Sequence, residues 1–225
     1  MTSSPMTDAL VPLLLTLKIA VAATAIVLFA GVACAYLLGR YSFWGSQIID
    51  AICTLPMVMP PTVLGYYLLV VFGRRGWIGA WLEESLGIHL IFTWQGAVIA
   101  SAAVAFPLVY RAARASLGSV DHHLENAARV LGAGEAKVFF RVSLPLAWRG
   151  VFAGTMLAFA RAMGEFGATL MIAGSIPGKT QTISIAIYEA VQAGQDSVAN
   201  FLVLLASLVC VCILAASGKF LQRQF

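Results

Sequence analysis

An eight-residue segment, 173–180, has the composition of a phosphate-binding loop. It reads Ala-Gly-Ser-Ile-Pro-Gly-Lys-Thr, with alanine where the first glycine of such a loop belongs. A phosphate-binding loop works because a strand leads into a glycine-rich turn, whose amides and lysine hold phosphate at the start of a helix. The surrounding sequence offers no α/β context for that turn. We therefore do not expect nucleotide binding here.

The histidines and cysteines do not have the spacing of a metal or redox site. His122 and His123 are adjacent, so on a helix their side chains point about 100° apart. The cysteines lie inside apolar runs, and none forms a Cys-x-x-Cys pair. They are interpreted as small apolar core residues. No catalytic group, metal or cofactor is expected, and the chain is predicted not to be an enzyme.

Arg161 and Glu165 are the charged pair with the most informative spacing. They are four residues apart, so on one helix they can pair. Near the outer edge of a membrane, where we expect them, such a pair costs less than two separate charges. One hypothesis is that the pair orders a gate and that Arg161 attracts anions. The other is a purely structural ion pair.

The elements that must position these residues are membrane helices. Of the 225 residues, 60% are hydrophobic and only 11% are charged, and the mean hydropathy is +0.90. Soluble domains have about 25% charged residues, so lipid is the expected solvent. Four uncharged runs have the length of about 20 residues that a bilayer requires, namely 19–39, 51–73, 90–110 and 198–218.

A fifth span is predicted at 144–163, although it contains Arg149 and Arg161. Small residues recur there at every fourth position, which lets another helix approach closely. These small residues are Gly150, Gly154, Ala158 and Ala162. The sequence therefore predicts an all-α polytopic membrane protein with about five transmembrane helices, forming a single domain over 1–225.

The distribution of Lys and Arg predicts the orientation. With the N-terminus outside and the C-terminus in the cytoplasm, nine of the 14 basic residues lie inside. Arg74 and Arg75 oppose this assignment. The nine are Arg40, Arg111, Arg114, Arg129, Lys137, Arg141, Arg149, Lys219 and Arg223.

The second span is expected to be kinked or broken. It contains Pro56, Pro60 and Pro61, each of which removes a helical hydrogen bond. Carbonyl groups freed in this way need protein or water in the bilayer, so the segment is predicted to face a pathway or another helix. A structural kink is the alternative. The apolar segment 166–178 is predicted to be a half-helix, and 183–192 a short amphipathic helix.

The loop 117–145 is too long for a simple connection. Asp121 is expected to cap a helix running to Leu131, which Gly132 and Gly134 end. A second helical piece is predicted at 135–142, and Pro145 marks the next span. An apolar docking surface is predicted from Leu124, Ala127, Ala128, Leu131, Phe139 and Phe140. The alternatives are a helix lying on lipid and a DNA-binding helix pair; tethering between spans argues against nucleic acid.

Residues 125–133, together with Leu144 and Pro145, resemble the cytoplasmic loop of ABC importer permeases. In that family a Glu-Ala-Ala stretch precedes a glycine, which a proline follows after thirteen residues, as Gly132 and Pro145 do here. Asn126 replaces the usual glutamate, and Glu125 lies one position earlier. The resemblance implies a type I importer permease fold. It also implies that this loop enters a cleft of an ATPase subunit, with Glu125 and Asn126 at the rim.

Nearly the whole chain resembles the molybdate branch of these permeases. The similar segments are 55–66, 73–79, 158–161 and 164–169. The last two also resemble sulfate permeases, so a sulfate or tungstate permease is the alternative. The resemblance implies a permease homodimer in the inner membrane, two ATPase subunits and an extracytoplasmic molybdate-binding protein. Arg161, Glu165, Pro60 and Pro61 are the candidate pathway residues. A membrane-embedded enzyme and an independent ion channel are the rival classes.

Overall fold

The computed structural model describes residues 5–40 and 44–222, and all regular elements in those ranges are helical. A π-helical turn, Phe139–Ser143, joins the helix Glu135–Val138 to the helix Leu144–Met163. Arg223, which the orientation argument used, lies outside the described residues. The helices are α1 (Pro5–Arg40), α2 (Ser46–Val58), α3 (Pro61–Phe72), α4 (Trp77–Leu86), α5 (Trp94–Gly118), α6 (His122–Val130), α7 (Glu135–Val138), α8 (Leu144–Met163), α9 (Gly167–Ala173), α10 (Ile183–Gln192) and α11 (Asp196–Gln222).

Four helical paths are long and apolar enough to cross a bilayer. They are Leu10–Arg40, Trp94–Gly118, Glu135–Met163 and Asp196–Ile213, and the α2–α3 pair is a broken fifth. The predicted all-α architecture with about five spans is confirmed. One detail differs: the helical piece expected at 135–142 is not separate from the next span, because the π turn carries the helix on without a break.

α5 is the most buried span and packs against both α1 and α8. The close contact with α8 depends on small residues. A Cβ atom added at Gly154 would collide with Ala112, and one added at Gly150 would collide with Ser116. Ala158 and Ala162 are also buried. The stripe of small residues predicted from the sequence therefore lies at a helix–helix contact.

The second span is broken at Met59 and Pro60, where α2 and α3 meet at a bend of 117°. Pro60 precedes α3, and Pro61 is its first residue, a position where the missing N–H has no helical partner to lose. The predicted break is confirmed. On α2, Asp50 accepts a hydrogen bond from the Tyr110 hydroxyl of α5, and Arg114 lies 3.4 Å from the same carboxylate.

Short helices complete the end of the bundle at which α5 begins. The predicted half-helix is α9, which packs on α3 so closely that a Cβ atom at Gly65 would lie 2.9 Å from Ala168 Cα. The predicted short helix is α10, whose Ile183 N–H donates to Thr16 Oγ1 at 2.8 Å. This end of the bundle, with α4 and the start of α5, is called the α4 end; the opposite end is the α6 end.

Candidate functional site

α6 begins and ends at the residues that the sequence indicates. The Asp121 carboxylate accepts a hydrogen bond of 2.8 Å from the His123 amide at the helix start. Gly132 follows the helix with φ of +80°, the left-handed conformation that favours glycine. Its N–H donates to Arg129 O. Gly134 does not end α6; it has φ of −69° and precedes α7.

α6 and the following turn leave apolar side chains uncovered. Leu131 is 87% exposed, Phe140 is 66% exposed and Leu124 is about half exposed. Ala127 is exposed and Ala128 partly so. Val130, the last residue of α6, is also 87% exposed, but its spacing places it outside the predicted helical stripe. Phe139 points elsewhere: its ring packs on Tyr36, with ring centroids 4.5 Å apart.

Glu125 is not at the rim of that surface, which corrects the expectation from the resemblance. Its side chain is buried, with the residue only 8% exposed. The Ser143 hydroxyl donates to Glu125 Oε1 at 2.5 Å, and Arg129 donates to Oε2 at 3.2 Å. Asn126 remains exposed and accepts a hydrogen bond of 2.6 Å from Arg129. The tertiary position of Ser143, eighteen residues later, turns Glu125 inward.

Two opposing effects act on the charge of Glu125. Burial disfavours the carboxylate and raises its pKa, whereas hydrogen bonds from Ser143, Arg129 and His122 favour it. The hydrogen bonds win, so the pKa lies below its usual value. Glu125 is therefore ionised at neutral pH, as a stable partner of Arg129 must be.

A wider ionic cluster surrounds Glu125 at the α6 end. Glu135 of α7 pairs with Arg40 at the end of α1 and lies 3.1 Å from Arg129. The cluster borders a cavity of about 260 Å³ between α1, α5 and α6. These contacts tie the segment α6–α7 to the first span as well as to the start of α8.

Two of the four candidate pathway residues, Arg161 and Pro61, line a second cavity of about 240 Å³, whereas Pro60 and Glu165 are not among its lining residues. Val104 and Leu108 of α5 line it as well. Its remaining lining residues are Pro56, Met57 and Met59. Val104 lies ten residues, or about 15 Å, from the start of α5, whose 25 residues span about 37 Å. The cavity is thus near the middle of α5, and we call it the central cavity.

Arg161 and Glu165 form the predicted ion pair, with Arg161 Nη1 2.8 Å from Glu165 Oε2. Arg161 lines the cavity beside the middle of α5, because α8 ends at Met163 and Gly167, at the start of α9, lies against Pro61 of α3. Glu165 is buried, and its Oε1 also accepts the Ala168 N–H at 2.9 Å. The same carboxylate thus neutralises Arg161 and starts α9.

The segment 173–180 forms a turn between α9 and α10. Gly174 and Gly178 have positive φ, and the Thr180 hydroxyl accepts the Ile176 N–H at 3.0 Å. The element before this turn is a helix, so the arrangement of a nucleotide-binding loop is not formed. Within residues 5–40 and 44–222, no three His, Cys, Asp or Glu side chains gather as a metal site would require.

Comparison with known proteins gives relatives over most of the chain. It is 45% identical over 203 residues to the molybdenum transport system permease protein ModB of Escherichia coli (strain K12), covering 89% of each chain. It is 37% identical over 179 residues to the probable sulfate transport system permease protein cysT of Chlorella vulgaris, covering 80% of this chain and 67% of that one.

The fold is shared with a chain of the inward-facing MetNI methionine ABC transporter, at a TM-score of 0.74 and 18% identity over 99% of both chains. The expected type I importer permease fold is confirmed. The family described as binding-protein-dependent transport system inner membrane component matches residues 28–225. That match includes α6, the ionic cluster and the central cavity. The chain belongs to this family of inner membrane transport components.

Proposed function

We propose that this chain is the transmembrane permease subunit of an ABC importer that carries molybdate across the cytoplasmic membrane. The observation that supports this most is the uncovered apolar surface on α6, within a chain 45% identical to a molybdenum permease. ATP hydrolysis belongs to a separate ATPase subunit, present in two copies. The permease is not itself an enzyme and acts as a homodimer.

The apolar surface on α6 is the site at which the ATPase docks. Leu124, Ala127 and Leu131 lie outside the spans, where exposed apolar side chains are unfavourable unless a partner covers them. Phe140, close to the start of the span Glu135–Met163, is exposed as well. Asn126 adds a polar contact at the edge. Ala128 is partly exposed beside these residues, Phe139 is held by Tyr36, and Pro145 is exposed at the start of α8. Gly132 fixes the turn that presents the surface.

The α6 end faces the cytoplasm, with the N-terminus outside and the C-terminus inside. Arg40, Arg114 and Arg129 lie at this end, and Lys137 and Arg141 follow on α7 and the π turn. Basic residues favour the cytoplasmic side of a membrane protein. The α4 end then faces an extracytoplasmic binding protein, which delivers the anion.

The central cavity lies on the pathway of the anion. α3 begins at Pro61 beside the cavity, and helices broken in mid-membrane are typical of transport sites. Arg161 supplies a positive charge there, and Glu165 holds it in place. Arg161→Lys keeps the charge and should retain more uptake than Arg161→Gln in reconstituted complexes. Equal uptake by the two variants would remove the role of that charge.

Competition for uptake tests the substrate. The permease, its ATPase and its binding protein are reconstituted in vesicles and supplied with radiolabelled molybdate, with and without excess tungstate or sulfate. We expect ATP-dependent molybdate uptake that sulfate does not reduce. Uptake of sulfate in preference to molybdate would instead establish the alternative that the 37% identical sulfate relative supports. ATP-independent flux would indicate a channel.

A further inference from the structure

Ser143 and Arg161 lie near opposite ends of one continuous helical segment, Glu135–Met163. Ser143, at the last residue of the π turn, binds Glu125 of α6, and Arg161 near the end of α8 lines the central cavity. Eighteen residues separate them, or about 27 Å along a helix. The helix between them packs on α5 through its small residues. A movement imposed at Ser143 therefore reaches Arg161 without an intervening loop.

The contact between Glu125 and Ser143 has the properties of a fixed joint. Both residues are buried, at 8% and 1% exposure, and the hydrogen bond joins a charged carboxylate to a hydroxyl. Charge-assisted hydrogen bonds are stronger than neutral ones. The π turn that ends at Ser143 is a rare conformation, which is frequently found at functional sites in proteins.

A second contact holds the same segment from the other side. Glu135 accepts a hydrogen bond from Arg129 of α6 and pairs with Arg40 of α1. α6 is consequently joined to α8 through Glu125 and to α1 through Glu135. The exposed apolar residues that would dock the ATPase take no part in either joint, so docking and joining use different faces of α6.

We propose that Glu125 is a positioning residue that clamps α6 to α8, so that displacement of α6 by the ATPase moves Arg161 at the central cavity. Glu125 makes no contact with the ATPase in this arrangement. The inference rests on the proposed function, because it assumes that α6 receives the movement. It adds how that movement reaches Arg161 at the central cavity.

Replacing a residue that clamps α6 to α8 should have a different effect from replacing a residue that docks the ATPase. Glu125→Gln and Ser143→Ala should leave the ATPase bound, since the apolar face is intact. They should raise the ATP hydrolysed per molybdate transported by about tenfold, the size of effect expected for a hydrogen bond to a charged group. Glu125→Gln removes the charge from this hydrogen bond and Ser143→Ala removes its donor, so the effect of the double variant should be smaller than the sum of the two single effects.

The experiment uses the complete complex in vesicles, with ATP turnover, molybdate uptake and subunit retention measured together. Ser119→Ala is the matched control, because the Ser119 hydroxyl is exposed and bonds only locally, to Ser116 O at 2.8 Å. Its ratio of ATP to molybdate should equal that of the wild type. A wild-type ratio in both Glu125→Gln and Ser143→Ala overturns the clamp. If docking is wrong, Leu131→Asp also retains the ATPase, which separates the two failures.

A distance measurement tests the contact between α6 and α8 even if a variant loses transport for another reason. Spin labels are placed on exposed positions of α6 and α8 by His123→Cys and Leu146→Cys in a cysteine-free background of the full complex. The wild type should give one narrow distance distribution, and Ser143→Ala should broaden it. An unchanged distribution in Ser143→Ala overturns the proposal, whatever the variant does to uptake.

Discussion

The charge of Glu125 makes one part of the stability of this protein dependent on pH. The pKa of Glu125 in the folded chain lies below its usual value of 4.5, because hydrogen bonds from Ser143 and Arg129 outweigh the effect of burial. A carboxyl group with a lowered pKa stabilises the fold above its unfolded pKa. That stabilisation disappears as the pH falls through the folded value. At neutral pH it is fully present.

Replacing Glu125 with glutamine should therefore lower the melting temperature at pH 7, and the difference should shrink as the pH falls below the unfolded pKa. Glutamine cannot carry the charge that Arg129 and Ser143 favour, whereas the wild-type carboxyl group loses that charge as the pH falls through its folded pKa. Thermal unfolding of the purified permease, measured from pH 7 to pH 3, checks this. A difference between the two proteins that stays constant with pH would contradict the lowered pKa.

Gly132 and Gly134 offer a matched pair for testing the turn after α6. A Cβ atom at either position meets nothing within 4 Å, but only Gly132 has positive φ. Gly132→Val should cost about 1 kcal/mol or more and reduce ATPase retention, because it distorts the turn that carries Leu131. Gly134→Val should behave like the wild type. Retention of the ATPase and coupled uptake are measured in both, and equal retention would exclude a role for the turn.

At the scale of elements, α5 and α8 approach each other closely at the small residues that the sequence indicated. A Cβ atom at Gly154 would collide with Ala112, so Gly154→Ala forces the two helices apart. Overpacking of this kind costs about 1–3 kcal/mol. Gly39 is the control, since a Cβ atom there meets nothing within 4 Å. Gly39→Ala should leave the melting temperature unchanged or raise it slightly, and an equal loss in both variants would contradict tight packing.

The elements that could be predicted from the sequence depend on local signals. Asp121 marks the start of α6, the prolines mark the break between α2 and α3, and apolar periodicity gives the bounds of α8 and α10. The depth of Arg161 could not be predicted, because it depends on where α8 stops against α5. The burial of Glu125 could not either, because its partner Ser143 is distant in sequence. The local pattern thus predicts helices, whereas packing decides which face of a helix is covered.

At the scale of the whole molecule, the orientation is the property that most needs a direct test. Arg75 and Gln195 are exposed near the α4 end, and Ser119 is exposed at the α6 end. Single cysteines at these positions, in a cysteine-free background, should react with an impermeant reagent in intact cells at Arg75→Cys and Gln195→Cys but not at Ser119→Cys. Labelling of Ser119→Cys from outside would reverse the proposed orientation.

The bend between α2 and α3 has a consequence for how the chain is made. The two halves have 13 and 12 residues, about 20 Å and 18 Å, so neither crosses the roughly 30 Å of hydrocarbon alone. α2 also carries Asp50, whose partners Tyr110 and Arg114 lie on α5 and are synthesised later. A lone carboxylate is costly in lipid. We therefore expect this broken span to remain beside the translocon until α5 emerges, so that the order of entry into the bilayer differs from the order of synthesis.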